Sequence, residues 1–406
     1  MYGLIFMQTE FLVIYLAESL KKANFPPKIT TLQLLQNFLD KHQNRLVGLD
    51  ILRSLAILIV VYEHGRHLFP YHTYDQYIAA NPIKLDGVSI FFVLSGFLIG
   101  RILLRIIQTT DFTGKDLVNF WIRRWFRTIP NYLFVLLVVV VCHYLRWSDF
   151  GNFDIRYIFF SQNLYSAHPD FYPEAWSLSV EEWFYMLFPI SCFALHKVLK
   201  SKSRAVLISA IVFIVVPLGL RIAKFESGIG LEEIDLEYRK IVLLRLDSLM
   251  FGILAAYAVF SNPDAWKKYR YHCLSAGIIL LVLLNWNPGN WKHFYEPLFF
   301  NIESITILLF LPFLSTLQST KIKVLDGVFI FISVISYSLY LLNMTPIQLN
   351  LLLWINELLG RADLPKSETF IGNYVAFWVL TIGCSYLLYR FFENPMTRLR
   401  DKYSSK

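Results

Sequence analysis

Two side chains with useful chemistry share one apolar stretch, 49–69, early in the sequence. Arg53 and His64 are eleven residues apart. Eleven residues of α-helix turn through about 1100°, close to three full turns, and rise about 16 Å, so both side chains lie on one face. Histidine titrates near neutral pH and suits general-base work. We predict that Arg53 and His64 are catalytic; the alternative is that Arg53 snorkels to the headgroups and His64 lies at the membrane boundary.

Two adjacent carboxylates open a later apolar run. Glu181 and Glu182 follow Trp176 and precede Tyr185. Acidic residues favour helix N-termini, which explains one carboxylate more readily than two. We predict that Glu181 is a third catalytic residue, orienting His64 or the substrate. The predicted substrate-binding residues are Glu182, Trp176 and Tyr185.

A cluster of basic residues stands just before the third apolar run. It contains Arg123, Arg124 and Arg127. Such a cluster is typical of an inside-facing topology signal. It is also suited to binding the phosphates of a cosubstrate, because guanidinium groups bind phosphate bidentately. We predict that all three arginines bind a phosphate-bearing cosubstrate.

Two further features indicate helix packing. The stretch Gly87–Gly100 has small residues that allow helices to approach closely. It lacks the Lys-Ser/Thr pair of a nucleotide phosphate loop. Arg245 and Asp247 flank the sixth apolar run, where we expect an ion pair between packed helices.

The composition indicates that membrane-spanning helices position these residues. Of 406 residues, 56% are apolar and 17% are charged, and the mean hydropathy is +0.47. Soluble domains carry about 25% charged residues, so a soluble enzyme and a disordered chain are excluded. We predict an all-α polytopic membrane protein with about ten spans. They lie near 49–69, 83–104, 129–147, 180–199, 205–224, 241–260, 272–287, 297–317, 325–352 and 370–390.

The placement of basic residues predicts the orientation. Most of the 38 Lys and Arg residues fall in alternate connecting segments if both termini are cytoplasmic. We predict three parts: a cytoplasmic or interfacial segment at 1–45, a membrane domain at 46–396 and a cytoplasmic tail at 397–406. Residues 3–18 are predicted to form an interfacial amphipathic helix rather than an eleventh span.

Several motifs occur in an order that resembles the acyltransferase family 3 membrane proteins. The spacing of Arg53 and His64 matches the family's Arg-x10-His signature, and Arg123–Pro130 is similar to its basic inner loop. The other similar segments are Gly87–Ile99, Trp176–Tyr185, Leu244–Gly252, Ile335–Tyr340 and Tyr389–Pro395. Any one motif is weak, but the ordered set covers almost the whole chain.

The resemblance implies a membrane O-acyltransferase, most often an O-acetyltransferase, of the bacterial inner membrane. The implied cosubstrate is cytoplasmic acyl-CoA, chiefly acetyl-CoA, with no metal. The implied acceptor is a hydroxyl of an extracytoplasmic polysaccharide, lipopolysaccharide or other lipid-linked sugar. Membrane lipids are the other expected partners, and no nucleic acid is expected. His64 would act as a base or as a transient acyl carrier.

The sequence departs from the family pattern at two positions and leaves two other functions open. Trp183 stands where the family usually has Gln, and Asn343 where it usually has His. The chain could instead be a transporter or flippase of a lipid-linked glycan, with His64 and Glu181 as proton-relay residues. We expect no esterase-like domain after the last span, so an acyl exporter that feeds a separate transferase is the other alternative.

Overall fold

The computed structural model describes residues 45–70, 85–109, 111–146, 153–227, 235–285 and 292–403, which are helical with no strand within those ranges. The predicted interfacial helix at 3–18 lies outside them. The helices are α1 (Val47–Gly65), α2 (Gly87–Thr109), α3 (Gly114–Arg146), α4 (Trp176–Leu199), α5 (Lys202–Glu226), α6 (Asp247–Ser261), α7 (Pro263–Lys268), α8 (Arg270–Asn285), α9 (Lys292–Leu314), α10 (Lys323–Leu342), α11 (Leu352–Leu358), α12 (Lys366–Leu388) and α13 (Asn394–Tyr403). Two π-helical stretches, Asn343–Leu351 and Tyr389–Glu393, follow α10 and α12.

The chain is a multi-pass membrane protein. Within the described ranges, seven helical stretches are long and apolar enough to cross a membrane. They are Gly87–Thr109, Gly114–Leu145, Pro173–Leu199, Lys202–Glu226, Pro297–Leu314, Lys323–Leu358 and Lys366–Leu399. The other three predicted runs also coincide with helices. Of these, α1 is apolar but carries three charged residues, Asp50, Arg53 and Glu63, and α6 and α8 have only 15 and 16 residues.

Helix α3 begins earlier than the sequence indicated. It starts at Gly114, where the Asp116 carboxylate accepts hydrogen bonds from the Thr113 backbone N–H (2.7 Å) and hydroxyl (2.9 Å). The Asp116 side chain thus reaches back to the residue before the helix, as the acidic residue of a capping box does. The basic cluster that the sequence placed in a loop is therefore helical. Helical spacing makes Arg127 a neighbour of both Arg123 and Arg124, four and three residues away. Arg123 and Arg127 are exposed, whereas Arg124 is half-buried.

Helices α2 and α6 meet backbone to backbone through glycine, as the small residues predicted. A Cβ at Gly96 would lie 1.9 Å from the Leu249 carbonyl oxygen. One at Gly252 would lie 2.0 Å from the Val93 carbonyl oxygen. Only glycine permits this approach, which fixes the position of α2 in the bundle.

Hydrogen bonds to α10 set the rotation of α1 about its axis. The Ser333 hydroxyl donates to the Asp50 carboxylate (2.5 Å), and the Ser54 hydroxyl donates to the Phe329 carbonyl (2.7 Å). The first bond is buried and the second is partly buried, in an apolar surrounding where an unmade bond is costly. They therefore fix the direction in which Arg53 and His64 point.

The predicted ion pair of Asp247 has a different partner. Asp247 pairs with Arg221 of α5 (2.6 Å), and both side chains are fully buried. The Arg221 guanidinium also donates to Asn301 of α9 (2.5 Å). Arg245, the expected partner, instead donates to Ser89 (3.0 Å) and packs 3.8 Å from the ring centroid of Phe300. The ion pair that packs these helices together thus joins Asp247 to α5, and α9 adds a further contact. Sequence spacing alone could not indicate these partners.

We predict that Gly96→Ala lowers the free energy of unfolding by about 1–3 kcal/mol, because the added methyl meets backbone that cannot move aside. Thermal unfolding of the purified protein in detergent measures this change. The matched control is Gly383→Ala, since a Cβ at that position meets nothing within 4 Å. Equal unfolding temperatures for the two variants would contradict the close approach of α2 and α6.

Candidate active site

The described residues enclose two adjoining cavities along α1. The larger, which we name the histidine cavity, has a volume of about 620 Å³. It lies between the end of α1, the starts of α2 and α4, segment 235–240 and part of α9. The residues of its lining used below are His64, Asp86, Val88, Glu174, Trp176, Asp235, Arg239, Lys240, Glu303 and Tyr340.

A hydrogen bond to Asn343 fixes the proton on the His64 ring. The Asn343 side-chain amide donates to the backbone carbonyls of Leu339 and Tyr340, both at 2.9 Å. Its oxygen is therefore turned toward His64 Nδ1, with which it makes a hydrogen bond. An amide oxygen only accepts, so Nδ1 carries the proton. The neutral ring then has its lone pair on Nε2, the form that a general base needs.

The π-helical stretch after α10 also holds the backbone at His64. The Gln348 side chain donates to the His64 carbonyl oxygen (2.9 Å). Farther along the same stretch, Thr345 donates its N–H (2.8 Å) and its hydroxyl (2.6 Å) to the Glu174 carboxylate. Such π-helical distortions are frequent at functional sites. This one brings Asn343 and Gln348 to the same histidine.

The smaller cavity, which we name the arginine cavity, has a volume of about 80 Å³. Three of the predicted basic residues line it: Arg53, Arg124 and Arg127. Glu181 also lines it, accepting a hydrogen bond from Ser95 (2.8 Å) and pairing with Arg124 (3.3 Å). Glu181 therefore lies with the arginines, and the residue that orients His64 is Asn343.

The predicted substrate-binding residues occupy different places. Trp176 lines the histidine cavity, and its ring is covered by the Arg239 guanidinium at 4.7 Å. Tyr185 accepts a hydrogen bond from Arg124 (2.5 Å). Glu182 is buried and accepts one from Thr128 of α3 (2.8 Å). Of the three predicted arginines on α3, only Arg123 lines neither cavity.

The two cavities share part of their walls. Val88 and Tyr340 line both, and Arg53 and His64 face them from the same helix. The Tyr340 hydroxyl is held by Ser177 (2.6 Å) and by the Glu174 carbonyl (2.8 Å). The structure thus brings the two residues of the Arg-x10-His pair to adjoining spaces, separated by one aromatic side chain.

Acidic and basic side chains are balanced at the rim of the histidine cavity. Arg239 donates to Asp86 (2.9 Å) and to Asp235 (2.9 Å). Lys240 pairs with Asp235 as well. Burial raises the pKa of Asp235, but Arg239 and Lys240 outweigh it, and the net pKa lies below the usual value. The rim is therefore a set of paired charges at neutral pH.

Sequence reasoning missed the partners of the predicted residues. Asn343 was noted only as a departure from the family pattern, and Arg239 was not singled out. Glu303 carried a usable signal, because it is a carboxylate inside the apolar run 297–317. No spacing in the sequence could pair Asn343 with His64, which are 279 positions apart.

A family comparison agrees with this arrangement. The sequence model of an acyltransferase domain, acyltransferase 3, matches residues 46–390. The chain belongs to the acyltransferase 3 family. The match covers both cavities, including the Arg53–His64 pair and the Asn343 position. No solved structure matches the chain.

Curated relatives of this acyltransferase 3 chain come from Staphylococcus aureus. A protein of strain COL that is provisionally named as an O-acetyltransferase is 28% identical over 383 residues, covering 88% of this chain and 58% of the relative. The O-acetyltransferase OatA of strain NCTC 8325 is 26% identical over 381 residues, covering 87% and 57%. The chain thus spans a little under three fifths of the length of these relatives.

We predict that Asn343→Leu lowers acyl transfer at least about 10-fold, a part of the 10²–10⁴ that a positioned general base supplies. The matched variant is Asn343→Asp, which keeps an acceptor for the His64 Nδ1 proton. Both variants lose the two bonds that Asn343 donates to backbone carbonyls, so their difference isolates the bond to His64. Equal activity of the two variants at matched protein levels would remove the positioning role.

Proposed function

We propose that the protein is a membrane O-acyltransferase that moves an acyl group, most simply acetyl, from cytoplasmic acyl-CoA to a hydroxyl of an extracytoplasmic glycan or glycolipid. The observation that carries the proposal is the His64 ring. Its proton is fixed on Nδ1 by Asn343, and the ring lines a cavity large enough for a sugar. Family membership and the names of the relatives support the reaction class.

The proposed topology has ten spans with both termini in the cytoplasm of a bacterium, in its inner membrane. The ten predicted apolar runs all coincide with helices, and α1, α6 and α8 would cross among other helices. A helix that carries charged residues, as α1 does, is tolerated when those groups face protein or a cavity rather than lipid. This topology places the arginine cavity toward the cytoplasm and the histidine cavity toward the outside.

The donor is proposed to enter at the arginine cavity. Arg53, Arg124 and Arg127 line it, and phosphate groups of coenzyme A are bound well by guanidinium groups. Glu181 and Tyr185 would hold Arg124 in place through their contacts with it. Arg123, exposed at the same helical segment, is available to more distant phosphates. The thioester end would then extend past Tyr340 toward His64.

The proposed chemistry is a direct transfer. His64 Nε2 takes the proton of the acceptor hydroxyl while the hydroxyl oxygen attacks the thioester carbonyl carbon. The carbon–sulfur bond breaks, and the coenzyme A thiolate leaves with the proton that His64 gives up. One ester bond forms as one thioester bond breaks, and His64 returns to its starting form. Trp176 is proposed to contact the acceptor from the cavity wall.

We predict that purified protein releases coenzyme A from acetyl-CoA in the presence of acceptor glycan, and that His64→Ala lowers this rate on the order of 100-fold or more. Arg127→Ala should chiefly raise the KM for acetyl-CoA. A thiol-reactive dye detects the coenzyme A thiol as it is released, and the rate of this release measures both effects.

The matched control for the histidine is His272→Ala, because His272 is exposed on α8 and lines neither cavity. It should keep the rate of the unaltered protein. Transport of glycan or protons that proceeds without any use of acyl-CoA would contradict the proposal and favour a transporter.

A further inference from the structure

A buried carboxylate lines the same cavity as His64 and has no assigned role. Glu303 lies on α9, within an apolar helical stretch, and is 1% exposed. Its Oε1 accepts the backbone N–H of Asp86 (2.8 Å). Its Oε2 is buried and has no hydrogen-bond partner among the described residues. Buried polar atoms are nearly always satisfied, so such an oxygen calls for an explanation.

The nearest polar side chains do not satisfy this oxygen. Ser89 is within hydrogen-bonding reach of Glu303, but its single hydroxyl proton is donated to Asp86 (3.1 Å). Arg245 acts on Glu303 through its charge, yet the guanidinium donates to Ser89 and packs on Phe300. One carboxylate oxygen is therefore left as an acceptor in the cavity that contains the candidate base.

The other buried carboxylate of the cavity shows what a structural role looks like. Glu174 is 2% exposed, and Thr345 donates to both of its oxygens. Each oxygen of Glu174 is thus used in holding the π-helical stretch in place. Glu303 uses only one oxygen in this way. Its second oxygen therefore makes no hydrogen bond that holds the bundle together.

We propose that Glu303 is a specificity-determining residue that accepts a hydrogen bond from a hydroxyl of the acceptor sugar through Oε2. The proposal rests on the proposed function. A sugar bound by this oxygen would present one particular hydroxyl to His64 Nε2. Glu303 would then decide which hydroxyl is acylated, because a site built to bind a hydroxyl rejects an analogue that lacks it.

The charges of the cavity indicate an uncharged sugar as the ligand. The basic residues Arg239 and Lys240 are paired with Asp86 and Asp235 in the described part of the chain. Glu174 and Glu303 add buried carboxyl groups, and Arg245 opposes the charge of Glu303. Arg239 and Lys240 are therefore not free to bind an anionic sugar, whereas a neutral sugar supplies the hydroxyl donors that a carboxylate accepts.

The test combines one protein variant with removal of single hydroxyls from the ligand. In Glu303→Gln, the side-chain oxygen can still accept the Asp86 N–H, but a donor replaces the free acceptor. The probes are methyl glucoside, methyl galactoside and methyl mannoside with their monodeoxy derivatives, and the full-length protein is used in detergent. Binding is followed by tryptophan fluorescence, and turnover by acetyl transfer from acetyl-CoA.

The unaltered protein should discriminate against one monodeoxy sugar, and Glu303→Gln should lose that discrimination. The affinity or KM for the parent sugar should weaken about 10- to 100-fold, as expected for a lost hydrogen bond to a charged group. Glu393→Gln is the matched control, because Glu393 is a buried carboxylate that lines neither cavity, and it should keep the discrimination.

The binding measurement separates this inference from the proposed function. If Glu303→Gln binds every parent and deoxy sugar as the unaltered protein does, the inference is overturned whether or not turnover occurs. If sugar binding depends on Glu303 but acetyl-CoA is never used, the inference stands as a sugar-binding site and the acyl-transfer proposal fails.

Discussion

Polar side chains inside an apolar helical bundle need partners, and this constraint is greatest for α1. Within 19 residues this helix carries Asp50, Arg53, Glu63 and His64. The partners of Asp50 and His64 come from α10 and the π-helical stretch that follows it. Because an unpartnered polar group in such a surrounding costs several kcal/mol, the pairing of α1 with α10 determines where the reactive residues point. The rest of the bundle is built around this pair.

The same elements join the two cavities into one arrangement. Tyr340, at the end of α10, stands between the arginine cavity and the histidine cavity and is held by Ser177 and the Glu174 carbonyl. The Glu174 carboxylate in turn binds Thr345, near Asn343. A change in the position of the π-helical stretch would therefore alter His64 and the wall between the cavities together. This coupling is a physical reason for the proposed donor and acceptor sites to be built on the same elements.

The sequence indicated the elements and several residues of the two cavities far better than their contacts. Apolar run length located the helices, and the spacing of Arg53 and His64 placed both along the cavities. Glu181 contacts Arg124 rather than His64. Local spacing does not encode how helices pack against each other, so the sequence could not indicate this partner. The same reason explains why the sequence paired Asp247 with Arg245 and not with Arg221. Glu303 was visible as a carboxylate in an apolar run, but its free oxygen was not.

We propose that donor and acceptor meet from opposite sides of one membrane along α1. Proteoliposomes test it most directly when the protein has one known orientation, acetyl-CoA is confined to the cytoplasmic side and the glycan acceptor to the other. The account predicts acetylated acceptor on the far side, with intact acetyl-CoA remaining on its own side and no product from His64→Ala. Product that forms only when donor and acceptor share one compartment would contradict the account.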